Sequence, residues 1–202
     1  MTTPGNAILI HGNGGGTADD IWFPWLEREL TVLGLSVINQ TFPDNVKARA
    51  KYWLPFLESL GADDNTILVG HSSGAVAAMR YAETHRLLGS ILVGVCHTDL
   101  GDAGEAASGY YAAPWRWADI KANQQWIAIY NSTDDPHIPI REPRFVAAQL
   151  QCSYFEFTDR GHFTDSTMFP EVRTFISRRL GKAHPTSHPG SQDPGARRAD
   201  SC

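Results

Sequence analysis

Residues 67–74 read ILVGHSSG, an apolar run closed by a glycine, then a histidine, two serines and a second glycine. The stretch that follows, SGAVAAMRYAETH (73–85), sets Ala75, Val76, Met79 and Ala82 at helical spacing on one close-packing face. A strand therefore runs into a helix with almost no loop. Gly70-His71-Ser72-Ser73-Gly74 fits G-x-S-x-G centred on Ser72. Centring it on Ser73 would need glycines where His71 and Ala75 stand. So sharp a turn forces the central residue into a strained backbone that projects its hydroxyl outward. Glycines two residues to either side relieve the clash of the crossing backbones. Ser73 then offers its amide N–H, at the helix start, to a developing oxyanion. The same letters also suit a strand ending in glycine ahead of a serine-capped helix, so the rest of the chain must decide.

Outward from this elbow, short apolar runs alternate with helix-length amphipathic ones. AILI (7–10), LSVI (35–38), TILVG (66–70), ILVGV (91–95), WIAIY (126–130) and SYFEF (153–157) have strand length. Most are continuous rather than alternating, as strands covered on both faces should be. Between them lie DIWFPWLERELTVLG, ending at Gly34, and NVKARAKYWLPFLESLG, ending at Gly61, each glycine a candidate helix C-cap. Pro24 and Pro55 stand near a first turn or kink these helices. REPRFVAAQLQ and FPEVRTFISRRL supply two later helices. Strand and helix in repeated alternation predict a three-layer α/β sandwich, its mostly parallel sheet of about six strands covered by helices on both faces. The long connection 98–124 is rich in Gly, Ala and aromatics, and we expect it to be partly helical and to overhang the sheet edge. Residues 183–202 are rich in Pro, Ser and Gly with almost no apolar residues, so we expect a domain over 1–182 and a disordered tail over 183–202.

A nucleophile at Ser72 requires an acid and a base on the carboxyl ends of other strands, where open α/β sheets place their ligand crevice. After WIAIY comes NSTDDPHIP, with Asp134 and Asp135; after SYFEF comes TDRGHF, with His162 in a turn. His162 would take the Ser72 proton and hand it to the leaving group. The aspartate would fix its tautomer and stabilise imidazolium. Asp135 is favoured because an apolar residue and a proline follow three and four positions on, a turn able to hold its carboxylate against the sheet. Asp134 stays open, since a one-residue shift exchanges the two, and Asp99 is a third candidate. Asp159 reads as a shaper of the His162 turn. The order Ser, Asp, His is that of α/β-hydrolases, distinct from those of chymotrypsin and subtilisin.

The glycine-rich stretch HGNGGG (11–16) lacks the lysine of a phosphate-binding loop, and GxGxxG fails on it from either start, finding Thr17 or Asp19 in place of the last glycine. It suits the second half of an oxyanion hole, with the donor amide near Asn13 and with Gly12 and Gly14 admitting substrate close to the backbone. His71, beside the nucleophile, and Trp115 and Trp117 with Tyr110 and Tyr111, from the long connection, are candidate walls of the substrate pocket. No HExxH occurs, and Cys96 and His97, adjacent in an extended stretch, point to opposite sides. Neither a metal nor a cofactor is expected.

Bulk properties agree with a soluble globular protein. The 202 residues are 42% hydrophobic and 19% charged, with a formal charge of −5 that offers no electrostatic footprint for nucleic acid. Three cysteines without a CxxC make no disulfide framework, and the start MTTPGNAILIHG has no basic region and only a four-residue apolar run. No run approaches the length of a membrane span. We expect a cytoplasmic monomer.

Long strings of the chain resemble the retinoblastoma-binding protein 9 family of small serine hydrolases. They are NGGG (13–16), WLPF (53–56), GHSSGAVAAMRYAETH (70–85), DLGD (99–102), ASGY (107–110), PWRW (114–117), IKAN (120–123), STDDP (132–136) and GHF (161–163). The resemblance spans residues 5–180 and implies a compact α/β-hydrolase fold without a large lid domain. It places the nucleophile on Ser72, the acid on Asp135 and the base on His162. The LxCxE motif, associated with retinoblastoma-protein binding in the member that names the family, reads LGADD at 60–64 here. Pocket-protein binding is therefore not expected. The expected function is hydrolysis of a small ester or amide through an acyl-enzyme. The alternative is a catalytically weak hydrolase-fold protein acting as an interaction module.

Overall fold

The computed structural model describes residues 5–182; the expected tail, 183–202, lies outside the described residues. Six strands form one sheet: β1 Asn6–Ile10, β2 Ser36–Asn39, β3 Thr66–His71, β4 Leu87–Val93, β5 Gln124–Ser132 and β6 Ser153–Phe157. Their order is β2-β1-β3-β4-β5-β6, and every neighbouring pair is parallel. Helices α1 (Phe23–Val32), α2 (Ala50–Ser59), α3 (Ser73–Ala82), α4 (Ala103–Ser108), α5 (Trp117–Ala122), α6 (Arg141–Leu150) and α7 (Pro170–Arg179) complete the chain. Among the described residues no helix is long and apolar enough to cross a membrane.

Because side chains alternate along a strand, each strand feeds two cores. Ile8, Ile10, Leu68, Leu92, Ile127 and Ile129 pack under α2, α3, α5 and α6. Ala7, Leu9, Ile67, Val69, Ile91 and Val93 pack under α1 and α7. Each fully buried Leu, Ile or Val contributes about 1.5–3 kcal/mol of burial, which makes the apolar strand runs the main source of cohesion. Gly34 and Gly61 follow α1 and α2 at φ +80° and +76°, the left-handed conformation that a helix-closing glycine supplies cheaply. Pro24 sits in the first turn of α1, whereas Pro55 lies inside α2.

The fourth strand begins at Leu87 and ends at Val93, earlier at both ends than the 91–95 run suggests. Gly89 pairs with Trp126 on β5, and a Cβ added to it would come within 2.5 Å of the Trp126 indole. Gly89 leaves the space into which the neighbouring Trp126 fits.

From β1 the chain goes outward to β2, then returns past β1 to β3. The carboxyl ends of β1 and β3 thus lie side by side at the point where strand order reverses, and a crevice opens there.

Candidate active site

At the end of β3 the chain turns directly into α3, and Ser72 is the hinge, with φ +54° and ψ −120°. A serine holds such a conformation only where its surroundings over-determine it. They do. A Cβ on Gly70 would overlap the Gly74 carbonyl and stand 2.5 Å from the Ala75 nitrogen, and one on Gly74 would overlap the Ile10 carbonyl and stand 2.6 Å from that of His11. Both flanking glycines are therefore steric requirements of this crossing. Ser72 N–H donates to the Val93 carbonyl (2.8 Å), which anchors the turn to β4.

His162 and Asp135 arrive from the loops after β6 and β5. The His162 Nδ1–H donates to Asp135 Oδ2 at 2.7 Å, with the Asp135 side chain 0% exposed. The other Asp135 oxygen accepts the amides of His137 (2.8 Å) and Ile138 (3.0 Å), the turn anticipated from DPHIP. Burial pushes the Asp135 carboxyl up, but the His162 hydrogen bond and charge and these amides outweigh it and hold the pKa below the usual value. Asp134 has different work. Its Oδ1 accepts from Ser132 Oγ and from the Gly161 amide (3.0 Å), tying the β5 loop to the turn that carries His162. Of the two aspartates, only Asp135 reaches the imidazole. Asp99 accepts the Gly101 amide, in a turn of its own.

Ser72, His162, Gly12, Asn13, His71 and Ser73 all line one cavity of about 500 Å³, the size of a small-ligand site. Ser72 Oγ makes no hydrogen bond among the described residues, a looseness common in hydrolases without bound substrate. The amides of Asn13 and Ser73 are likewise uncommitted among the described residues, so both can donate into the cavity. Asn13 itself is steered by its side chain, whose Nδ2 donates to Glu105 Oε1 at 2.7 Å.

Three proposed walls stand elsewhere. Trp115, Trp117 and Tyr110 do not line the cavity. Arg80 on α3 donates to the carbonyls of Tyr110 (2.7 Å), Ala113 (2.6 Å) and Pro114 (3.2 Å), folding the connection along α3, and its guanidinium carbon sits 3.6 Å from the Trp115 ring centroid. Trp117 stacks on Trp115 instead of covering the site. Gly14, with φ +73° and its amide on Val46, is also outside the wall and serves the turn.

Of the connection's aromatics Tyr111 does line the cavity, while Cys96 and His11 are lining residues that escape a reading of the sequence. Cys96 and Tyr111 meet in the wall, Sγ to hydroxyl 3.1 Å, and burial pushes the thiol up to about 12, which keeps it protonated and unreactive. His97, its sequence neighbour, turns away to Glu142, 2.7 Å from Nδ1 to Oε2. His11 accepts the Phe42 amide at Nε2 (2.8 Å), so its Nδ1–H donates to the Gly12 carbonyl (2.7 Å) and fixes the start of the glycine loop. Burial lowers its pKa and keeps it neutral. The only sequence signal for these roles was that they follow strands β1 and β4, at the crevice end.

A family model described as serine hydrolase matches residues 7–175, which contain every one of these groups. The chain belongs to the serine hydrolase family. It is 45% identical over 186 residues to the serine hydrolase RBBP9 of Rattus norvegicus, covering 91% of this chain and all of the relative. The crystal structure of the ydeN gene product of B. subtilis superposes with a TM-score of 0.81 at 25% identity, covering 89% of this chain and 100% of that one. The fold also matches Est1E from Butyrivibrio proteoclasticus, solved with bound ferulic acid, at TM-score 0.72 and 15% identity over 90% of this chain and 91% of that one. The overall fold of this chain is thus shared with both solved structures.

Proposed function

We propose that this protein hydrolyses a small ester or amide by acyl transfer through Ser72, His162 and Asp135. The observation that carries the reading is a strained Ser72 facing the same cavity as an imidazole already bonded to a buried, ionised carboxylate. Ser72 Oγ attacks the carbonyl carbon while its proton passes to His162 Nε2. The imidazolium that forms is stabilised by Asp135 across Nδ1–H. The amides of Ser73 and Asn13 hold the tetrahedral oxyanion, each donor worth about 3 kcal/mol in the transition state. As the intermediate collapses, Nε2–H protonates the leaving group and an acyl-Ser72 ester remains. Water then gives its proton to Nε2, attacks the ester, and the acid departs as Ser72 recovers the proton.

Charge in the cavity supports an aminopeptidase-like preference. Asp20, Asp102 and Glu105 line it, whereas no lysine or arginine does among the described residues. A substrate with an ammonium near its scissile carbonyl suits that balance. Burial raises the Glu105 pKa, so an incoming ammonium would favour its ionised form.

The test is labelling by a fluorophosphonate. Wild type should be labelled and Ser72→Ala should not; a pure, folded wild type that resists labelling sinks the proposal. Profiling matched esters, amides and thioesters, with and without an α-amino group, then fixes the substrate class.

A further inference from the structure

Two buried side chains that the proposed chemistry does not use converge on the loop bearing His162. His71 is 5% exposed, and its Nε2 lies 2.8 Å from the backbone carbonyl oxygen of His162. A carbonyl can only accept, so Nε2 carries the proton. Burial, and then the neighbouring His162, push the His71 pKa down to about 3, leaving a neutral ring with one fixed tautomer. The next carbonyl along, that of Phe163, accepts from the indole N–H of Trp22 at 3.2 Å. Trp22 is 0% exposed and meets the His71 ring edge-on, centroids 6.1 Å apart.

The segment these donors grip needs holding. Gly161 and Phe163 take φ of +50° and +58°, so His162 sits between two left-handed residues, one of them a bulky aromatic. Gly94 lies close against the His162 ring, where an added Cβ would stand 3.0 Å from Cε1. The ring is thus fixed at Nδ1 by Asp135 and crowded by Gly94, and its backbone is fixed by His71 and Trp22. Of the ring nitrogens, Nε2 alone is left without a hydrogen bond among the described residues, and the ring lines the same cavity as Ser72.

We infer that His71, supported by Trp22, is a positioning residue for His162: its Nε2–H holds the His162 carbonyl and so sets where the His162 imidazole meets Ser72. The inference rests on the hydrolase reading for its consequence in turnover but not for its structural content. A misplacement of about 1 Å in a reacting group costs about 100-fold in rate, which sets the scale of the effect.

Three variants test it: His71→Leu, which removes the donor at similar size; His71→Gln, which keeps an N–H within reach; and Trp22→Phe, which removes only the indole donor. The first readout needs no substrate. The proton shared by His162 Nδ1 and Asp135 should give a low-field proton NMR signal, broadened or lost in His71→Leu and retained in His71→Gln. The second is labelling rate and steady-state kinetics. His71→Leu should lose about 30-fold in labelling rate and kcat with KM within about 2-fold, His71→Gln should recover most of it, and Trp22→Phe should lose about 5-fold. A folded His71→Leu with the wild-type signal and rate overturns the inference. If His71→Leu does not fold, Trp22→Phe decides, and wild-type behaviour there overturns it. A wild type that neither labels nor turns over refutes the hydrolase reading alone, because the NMR signal still judges the role of His71.

Discussion

The elbow at 66–82 and the connection at 98–124 shape the same cavity by opposite means. In the elbow all of β3 and nine of the ten residues of α3 are buried, and its geometry is set by volume: no atom can be added at Gly70 or Gly74. In the connection only Ser108, Tyr110 and Ile120 are buried, and polar bonds do most of the holding. Asp102 caps α4 by accepting the amides of Gly104 and Glu105, Glu105 reaches Asn13, and Arg80 grips three carbonyls. Excluded volume tolerates no adjustment, whereas hydrogen bonds can be re-formed by other residues. The elbow should therefore fail all at once, and the connection should tune what binds.

The largest effect should come from crowding the elbow. Gly74→Val drives a branched side chain into the carbonyls of Ile10 and His11, and we expect a loss of about 3 kcal/mol or more. Thermal melting should show a midpoint lower by about 10 °C, or no soluble protein. An unchanged midpoint would mean that β1 and α3 are not locked against each other. Next in size, Asp135→Asn should keep the fold and lower kcat by about 10³-fold or more, through the wrong imidazole tautomer. Asp134→Asn acts only through the loop and should cost much less. Equal losses would erase the distinction drawn between the two aspartates.

These contrasts track what a linear sequence can express. The elbow was legible because one of its demands is local: Gly70 is required by residues four and five positions on, although Gly74 answers to Ile10 and His11 on β1 and just beyond it. Asp135 and His162 were legible as polar residues in turns after strands, with the choice over Asp134 resting on a turn that the His137 and Ile138 amides do form. The connection was only half legible. Its partial helicity was readable, but Trp115 and Trp117 were misplaced because their position depends on Arg80, some 35 residues away along the chain and free of any motif. The early start of β4 was hidden for the same reason, since Gly89 makes sense only beneath Trp126. The bond from His71 to the His162 carbonyl spans 91 positions and leaves no local trace.

Acid should weaken the elbow more than the connection. A His71 pKa of about 3 in the folded protein, against 6.5 for the unperturbed group, means that the unfolded chain binds the extra proton throughout that interval. Stability from the neutral ring is complete above pH 6.5 and falls as pH drops toward 3, by up to about 1.4 kcal/mol per pH unit. Urea unfolding at pH 7.5 and pH 5 should show the loss in wild type and a flatter slope in His71→Gln. Parallel slopes would mean that His71 is already protonated in the fold. In the connection, Glu105→Gln keeps an acceptor for Asn13 while removing the charge. We expect a KM about 10-fold higher for amine-bearing esters and nearly unchanged for neutral ones. An equal change for both would move recognition away from the carboxylate.

The smallest effect is the most pointed. Ser73 is buried beside Ser72, and what it contributes to the proposed chemistry is its backbone amide, which every residue but proline possesses. Ser73→Ala leaves that amide in place and suits the first turn of a helix. We expect kcat within about 3-fold of wild type, against complete loss of labelling in Ser72→Ala. The two serines differ by one position in the chain, yet one stands at φ +54° facing the cavity and the other opens a helix packed into the core. If their alanine variants lost activity equally, the elbow would not be choosing between them. The steric reading of Gly70 and Gly74 would then have to be replaced by one in which both hydroxyls act.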